Sequence, residues 1–243
     1  VLLYQPQCQL RSGQLSGYEA LVRWHHPLHG LVSPAEFIPI AEESGAILQI
    51  GEWVLAQACR EAATWHSHHR VAVNVSPVQL VQQDLAPMVG RVLMETGLSP
   101  SRLELEITES AIITDKVRAL NNLRQLKELG VAIAMDDFGT GYSSLDTLHS
   151  FPFDKIKIDK SFLLESDQNE QARAIIRAVL ALGSSLRIPV LAEGVETASQ
   201  FELLISEGCE EAQGYFLGRP DRAPSLKSGS PDTVPETRAE AFA

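Results

Sequence analysis

The chain has 243 residues, a length that suits one large α/β domain, and it is 44% hydrophobic and 21% charged. Its formal net charge of -11 argues against a nucleic-acid duplex as partner, because phosphate binding requires a basic surface. No apolar run approaches the ~20 residues of a membrane-spanning helix, so we expect no membrane contact by this domain itself.

Strand-like and helix-like segments alternate along the first half of the chain. Strands are predicted at Leu2–Tyr4 and Gly17–Val22, and the short polar turn between them predicts an antiparallel pair, because a parallel pair needs a longer crossover. Ser33 and Pro34 predict the start of a helix that runs to Glu43. The elements predicted next are helix 47–66, strand Val71–Val75, helix Val78–Thr96, strand Leu103–Ile107 and helix Asp115–Leu129.

The alternation continues through the second half. After strand Val131–Met135 and the Gly-rich segment Phe138–Leu145, the predicted elements are strand Lys155–Ile158, helix Asn169–Leu186, strand Pro189–Ala192, helix Ala198–Glu207 and strand Glu211–Gln213. Eight strands with intervening helices predict an α/β fold over residues 1–220, a closed (β/α)8 barrel, with a doubly wound open sheet as the alternative. The polar composition from Asp221 onward predicts a flexible tail over residues 221–243.

The adjacent carboxylates Asp136 and Asp137 follow the apolar run Val131–Met135 directly. Such a run between glycine-containing segments is typical of a buried parallel strand. Barrel enzymes hold their chemistry where strands meet loops, which favours a functional role for both side chains. The alternative interpretation is that the pair only forms a turn before the glycines.

Polar side chains occur at the ends of seven successive predicted strands, and most of them are carboxylates. They are Glu19, Asn74, Glu106 with Glu109, Asp136 with Asp137, Lys157 with Asp159, Glu193 with Glu196, and Gln213. In a closed barrel these side chains meet at one end, where like charges repel and are costly to desolvate. Carboxylate and amide oxygens are ligands that Mg²⁺ and Mn²⁺ prefer, so the pattern predicts a divalent cation.

An ordered set of motifs carries a resemblance to a known family. The set comprises Tyr4-Gln5-Pro6, Glu19-Ala20-Leu21-Val22-Arg23-Trp24, Asn74-Val75-Ser76, Glu106-Ile107-Thr108-Glu109, the segment from Asp136 to Leu145, Lys157-Ile158-Asp159, Ala192-Glu193-Gly194-Val195-Glu196 and Gln213-Gly214-Tyr215. In this combination the chain resembles the EAL domain family of cyclic di-GMP phosphodiesterases, over essentially its whole length.

The resemblance implies a (β/α)8 TIM-like barrel with an antiparallel early strand that hydrolyses one phosphodiester of cyclic di-GMP to linear pGpG. It also implies two metal ions, Mg²⁺ or Mn²⁺. The residues that match the family's ligands for one metal are Glu19, Asn74, Glu106 and Asp136. Asp136 resembles a ligand shared with a second metal, which Asp137 also binds.

The resemblance implies further roles at the same site. Lys157 matches a catalytic lysine that positions or deprotonates the attacking water, and Glu193 and Glu19 match the other catalytic positions; which group is the general base stays open. The residues predicted to contact substrate are Arg23, Asp159, Glu196, Gln213, Gln5 and Leu21. Glu109 resembles the residue that anchors the segment Phe138–Leu145.

The runner-up function is a cyclic di-GMP sensor module that binds without cleaving, and a third is a scaffold that acts through protein contacts. The metal ligands, Lys157 and the Gly-rich segment are all present, which favours the enzyme. Two histidine groups, His25, His26 and His29 and also His66, His68 and His69, are discounted as metal sites because short motifs often match by chance.

The cellular context is predicted from two features. Cys8, Cys59 and Cys209 are odd in number and widely separated, which indicates free thiols in a reducing cytoplasm rather than disulfides. Val1 rather than Met begins the chain, which indicates a domain of a longer protein. We therefore expect a cytoplasmic, homodimeric domain with regulatory or sensor domains, and a possible membrane anchor, elsewhere in the full-length protein.

Overall fold

The computed structural model describes residues 1–65, 68–82, 84–139, 148, 150–166 and 169–222. The strands within these residues are β1 Leu2–Gln9, β2 Leu15–Val22, β3 Trp24–His26, β4 Gly30–Val32, β5 Arg70–Asn74, β6 Leu103–Thr108, β7 Ala132–Phe138, β8 Lys155–Ile158, β9 Val190–Ala192 and β10 Glu211–Gln213. All eight predicted strands are present, and the first and last residues predicted for β8 and β10 match the observed ones.

The described helices are α1 Pro34–Ser44, α2 Ile47–Ala63, α3 Pro77–Leu80, α4 Leu85–Thr96, α5 Glu109–Thr114, α6 Lys116–Glu128, α7 Lys160–Glu165, α8 Glu170–Leu186 and α9 Ala198–Ser206. The predicted cap of α1 is confirmed, because Ser33 Oγ accepts the backbone N–H of Ala35 and Pro34 takes the first helical position. Asn169 and Thr197 cap α8 and α9 with the same kind of bond.

Eight of the strands close into a barrel. Hydrogen-bonded neighbours follow the order β1-β10-β9-β8-β7-β6-β5-β2, and β3 pairs with β4 in a separate two-stranded sheet. The pairs β5–β6, β7–β8, β8–β9 and β9–β10 are parallel, whereas β1 is antiparallel to β10. This confirms the predicted barrel with an antiparallel early strand and excludes the open sheet, which would leave two edges unpaired.

The chain divides into two compact units. Within the described residues, the first comprises Val1–Tyr4, Glu19–Ile133 and residues 220–222, and the second comprises Gln5–Tyr18 and Ala134–Arg219. The core of the first includes Val71, Val73, Leu103, Leu105, Ile107, Leu123 and Leu126. The core of the second includes Ile156, Ile158, Leu163, Leu191, Phe201 and Leu204. The strands supply apolar residues to both of their faces, as expected for parallel strands covered by helices.

The segment Val78–Thr96, predicted as one helix, forms two. The first, α3, ends at Leu80, and the second, α4, begins at Leu85. Asn122 Nδ2, from α6, donates to the carbonyl oxygens of Leu80 at 2.6 Å and Gln82 at 2.7 Å. The prediction was wrong because a side chain from a distant helix captures carbonyl groups that a continuous helix would bond internally.

Four short elements of the described residues were not predicted: the 3₁₀ helix Pro100–Arg102, α5, α7 and the β3–β4 hairpin. Each is too short for its apolar periodicity to be recognised in a sequence. The hairpin contains His25 and His26, and His26 Nδ1 accepts the backbone N–H groups of Leu28 and His29 at 3.1 and 3.2 Å. His26 therefore serves the turn. Of the second histidine group, His68 and His69 lie between α2, which ends at Ala63, and β5, and His66 lies outside the described residues.

Two predicted segments lie mostly outside the described residues. Only Phe138 and Gly139 of the Gly-rich segment Phe138–Leu145 are described, and only residues 221 and 222 of the tail. The backbone of Asp221 pairs with that of Tyr4, at 2.6 and 3.1 Å. The boundary at residue 220 and the flexibility of the tail therefore stay predictions. In the described part of the chain, no helix combines the length and apolarity that crossing a membrane requires.

Candidate functional site

Two of the predicted metal ligands contact each other in the first unit. Glu19 lies in β2 and Asn74 is the last residue of β5. Asn74 Nδ2 donates to Glu19 Oε1 over 2.7 Å. Glu19 is buried, whereas Asn74 is exposed to solvent. An amide and a carboxylate from separate strands are thus held side by side.

Two further acidic residues lie in β6 and directly after it. Glu106 is the register partner of Asn74 on β5, and its carbonyl oxygen accepts the backbone N–H of Val75 at 2.9 Å. Glu109 begins α5, and both glutamates are buried, at 1% and 4% exposure respectively. The predicted contact of Glu109 with the Gly-rich segment falls mostly outside the described residues, so the anchoring role stays a prediction.

Lys157 is the centre of the charged group in the second unit. Its Nζ lies 2.6 Å from Glu193 Oε1 and 3.3 Å from Asp136 Oδ1, and its side chain is 0% exposed. Removing an ammonium group from water is costly, and only well-placed carboxylates offset that cost. The three side chains come from β8, the segment after β9, and β7, so parallel strand pairing brings them together.

A β-bulge positions the two adjacent aspartates. The strand predicted to end at Met135 continues to Phe138, and between these residues it has one residue more than β8. Asp137 has a φ of 55°, in the left-handed region that residues other than glycine rarely adopt. Asp136 Oδ1 accepts the backbone N–H of Asp137 at 3.0 Å. A bulge redirects successive side chains, which is why such irregularities recur beside active sites.

The ionised form of the Asp137 carboxyl group is disfavoured. Burial raises its pKa to about 6, and the negative charges of Asp136 and Asp159 act in the same direction. Lys157 and Lys160 oppose this effect. A cation next to Asp137 would favour the ionised carboxylate and offset the effects of burial and of the neighbouring negative charges.

The predicted ligands suit a hard divalent cation. The first unit holds Glu19, Asn74 and Glu106, and the second holds Asp136 and Asp137; all five offer oxygen atoms. This donor set and the raised pKa of Asp137 fit Mg²⁺ or Mn²⁺. Among the described residues, no group of three or more His, Cys, Asp or Glu side chains is arranged to hold a metal ion. Each unit by itself contains only two of the predicted acidic ligands.

Two predicted substrate contacts form a buried chain of amides in the second unit. Gln213 Nε2 donates to Gln5 Oε1 at 3.0 Å, and Gln5 Nε2 donates to the carbonyl oxygen of Gly218 at 3.1 Å. Both glutamines are buried. The amide of Gln5 is thereby engaged at both ends by the protein.

Arg23 and Leu21 lie near Glu19 in the sequence, at the end of β2. Arg23 Nη1 donates to the carbonyl oxygen of Val22 at 2.8 Å, and Leu21 is half-buried. A guanidinium carries five N–H donors, so this bond leaves capacity for an anion. Their contact with substrate stays a prediction.

The other two predicted substrate contacts stand at helix starts. Asp159 caps α7, because its Oδ1 accepts the backbone N–H of Ser161 at 3.0 Å and also bonds the Ser161 hydroxyl. Glu196 is exposed, and its backbone N–H donates to Gln200 Oε1 at 2.8 Å. The structure thus gives Asp159 a capping role that the sequence analysis missed.

Gly194 is a further residue that sequence analysis did not single out. Its φ is +74°, and a Cβ atom there would lie 2.5 Å from Lys160 Cβ. Only glycine allows the chain after Glu193 to pass this close to the start of α7. The signal available in the sequence was that this glycine directly follows Glu193, a predicted catalytic residue.

A second buried ion pair was also missed. Lys155 Nζ lies 3.0 Å from Glu211 Oε2, and Gln9 Nε2 donates to Glu211 Oε1 at 3.1 Å. The spacing of Lys155 and Lys157 on one strand was a signal, because side chains two residues apart face the same side.

Comparisons with known proteins show the family of the chain. The family model described as "EAL domain" matches residues 1–220. A signalling protein of Caulobacter vibrioides is 59% identical over 220 residues, which are 90% of this chain and 27% of that protein. The bifunctional diguanylate cyclase/cyclic di-GMP phosphodiesterase MucR of Pseudomonas aeruginosa is 45% identical over 230 residues, 93% of this chain and 34% of MucR.

A solved structure resembles the whole barrel. The PaMucR phosphodiesterase in complex with c-di-GMP superposes with a TM-score of 0.88 at 45% identity, covering 91% of each chain. The chain spans about a third or less of the length of the two relatives above. The match across residues 1–220, the closed barrel with its reversed first strand, and the identity to MucR lead to one conclusion: the chain belongs to the EAL domain family.

Proposed function

We propose that the chain is a metal-dependent phosphodiesterase that hydrolyses cyclic di-GMP to linear pGpG. The observation that carries the proposal is the buried Lys157 ammonium, which lies between Asp136 and Glu193. The lysine faces two carboxylates, and these groups lie at the carboxyl ends of barrel strands, where barrel enzymes hold their catalytic residues. The relative MucR, named as a cyclic di-GMP phosphodiesterase, supports the same substrate.

We propose that Mg²⁺ or Mn²⁺ ions complete the site. The ligands would be Glu19, Asn74, Glu106 and Asp136 for one ion, with Asp136 and Asp137 serving a second. When bound, such ions supply positive charge to the phosphate oxygens and make a nearby water easier to deprotonate. The support is the oxygen-only donor set, the contact of Asn74 with Glu19, and the raised pKa of Asp137.

The protein's own side chains would perform three tasks. Lys157 holds the attacking water and stabilises negative charge that develops on phosphate, while Glu193 and Asp136 hold its Nζ in place. Arg23 binds a phosphate oxygen, and Gln213 contacts the bound substrate. The net reaction adds water across one P–O bond: the hydroxyl joins phosphorus, and the hydrogen ends on the leaving sugar oxygen.

The setting of the domain is also proposed. Because the chain spans only part of its relatives, we propose that regulatory or sensor domains accompany it in the full-length protein. The three described cysteines are buried and none of them is in a disulfide, which supports a reducing cytoplasm. We further propose a homodimer, which equilibrium sedimentation of the chain would test.

The test is chromatography with mass detection of cyclic di-GMP incubated with the chain, with Mg²⁺, with Mn²⁺ and with chelator. We expect pGpG to form only when metal is present. Calorimetric titration of cyclic di-GMP in Ca²⁺ runs in parallel as the binding control. Binding without pGpG under every metal condition would make the chain a sensor module, and absence of both would reject the proposal.

Glu19→Ala tests the metal ligands. Loss of this carboxylate removes a direct ligand, and we expect turnover to fall by more than about 100-fold, since even indirect supports of a metal cost 10–100-fold. The matched control is Glu95→Ala, an exposed glutamate on α4. Near-normal turnover of the Glu19 variant at saturating Mn²⁺ would contradict the ligand assignment.

A further inference from the structure

A chain of hydrogen bonds connects the backbone at Gly218 to the side chain of Gln213. Gln7 lies opposite Gln213 in the antiparallel pairing of β1 with β10, and Gln5, two residues before Gln7, faces the same side. From there the Gln5 amide reaches Gln213 at 3.0 Å and the Gly218 carbonyl oxygen at 3.1 Å. Gln5 is 8% exposed and Gln213 is 4% exposed.

The direction of this chain follows from its last acceptor. A backbone carbonyl can only accept, so Gln5 must turn its NH₂ group to Gly218 and its Oε1 to Gln213. An oxygen facing Gln213 requires the NH₂ group of Gln213 in return. Gln213 must therefore direct its own Oε1 away from Gln5, and the orientation of one amide is determined by the other.

Gly218 lies in a closely packed turn. The N–H of Gly218 donates to the Gly214 carbonyl at 2.9 Å, and a Cβ atom on Gly218 would lie 2.2 Å from Pro6 Cγ. Gly214 packs equally closely on the backbone of Val195. Neither glycine can carry a side chain without displacing its neighbour, so the turn that presents the acceptor is closely packed.

We infer that Gln5 is a positioning residue: it sets the amide orientation of Gln213, so that Gln213 Oε1 acts as a hydrogen-bond acceptor for a donor on the bound cyclic dinucleotide. This inference rests on the proposed function. It differs from the predicted direct contact of Gln5 with substrate, and its basis is that Gln5 is buried and its amide bonds to both Gln213 and Gly218. Gln5 therefore acts through Gln213.

The orientation is tested without turnover. In protein labelled with ¹⁵N at glutamine side chains, the Nε2 proton of Gln213 that bonds to Gln5 Oε1 should exchange slowly with solvent. Gln5→Met removes the acceptor, and we expect this slow exchange to be lost. Gln5→Glu keeps an oxygen for Gln213, and we expect slow exchange to persist. Slow exchange in the Gln5→Met variant would overturn the inference.

A double-mutant cycle tests whether Gln5 acts through Gln213. We expect Gln5→Met to lower kcat/KM for cyclic di-GMP by roughly tenfold, the scale of one hydrogen bond. In a Gln213→Met background the same change should have no further effect, whereas additive losses would show that Gln5 contacts substrate directly. Each single variant should have the same thermal stability as the unsubstituted chain, which guards against a general loss of structure.

The experiments distinguish failure of the proposed function from failure of the inference. If the wild-type chain forms no pGpG, the proposed function is rejected, and titration of cyclic di-GMP replaces kcat/KM in the same cycle. If the wild-type chain neither cleaves nor binds cyclic di-GMP, the inference fails with the proposed function. If it turns over normally but the Gln213 protons exchange rapidly, only the inference is rejected.

Discussion

Lys155 and Lys157 lie two residues apart on the same strand, and both are buried against carboxylates. Lys155 begins the strand and pairs with Glu211, which begins β10. Lys157 lies near the strand's end, where Asp136 and Glu193 both approach it. Residue type, strand and burial are shared, so the position along the strand distinguishes the two pairs.

This difference matches a general property of barrels. Side chains at the amino ends of the strands support stability, whereas those at the carboxyl ends serve the chemistry. We infer that the Lys155 pair stabilises the fold and that the Lys157 group serves the reaction. The predictions below separate the two roles, from the largest expected effect to the smallest.

Lys157→Met should abolish most of the activity. The substitution keeps the length of the side chain but removes the ammonium group, so no proton or positive charge is available beside Glu193. We expect kcat to fall by about 10²–10⁴-fold, the usual contribution of a positioned acid or base. Single-turnover formation of pGpG measures this, and calorimetry checks that cyclic di-GMP still binds. Unchanged kcat would remove Lys157 from the mechanism.

Lys155→Met should affect stability rather than rate. It leaves the buried Glu211 without its cation, and breaking a buried pair on one side costs about 3–5 kcal/mol. Urea denaturation followed by circular dichroism measures the free energy of unfolding. The double variant Lys155→Met/Glu211→Leu should recover most of the loss. If kcat fell while stability held, the contrast between the two lysines would be wrong.

Gly194→Ala tests the carboxyl end of the barrel through its backbone. A Cβ atom there is both in a left-handed conformation and 2.5 Å from Lys160 Cβ, so we expect a loss of about 2–4 kcal/mol and reduced turnover as Glu193 shifts. The control is Gly208→Ala, with a similar φ of +78° but no atom within 4 Å. It should cost about 1 kcal/mol and leave turnover unchanged. Equal losses in both variants would mean that close packing at Gly194 is unimportant.

Asp159→Ala should have the smallest effect. Asp159 lies just after Lys157, yet its carboxylate caps α7, and losing such a cap costs about 1 kcal/mol. Asp159→Asn keeps the cap and should retain both stability and KM. A raised KM in the Asn variant at normal stability would instead show that the charge of Asp159 binds substrate.

Much of the candidate site was predictable because its signals are local. Glu19, Asn74, Asp136 and Lys157 each stand near the end of an apolar run, and a closed barrel collects strand ends on one side. What could not be predicted is which of these groups touch. The contact of Asn74 with Glu19 spans 55 residues of sequence, and strand periodicity contains no information about such distances.

The sequence by itself determined the order of the main strands and helices, the cap at Ser33, and the residues at the strand ends. These depend on interactions within a few residues. The tertiary structure alone decided the helix break that Asn122 causes, the bulge at Asp137, and the link between Gln5 and Gln213. Each of these requires segments far apart in the chain to meet, and only the closed barrel brings them together.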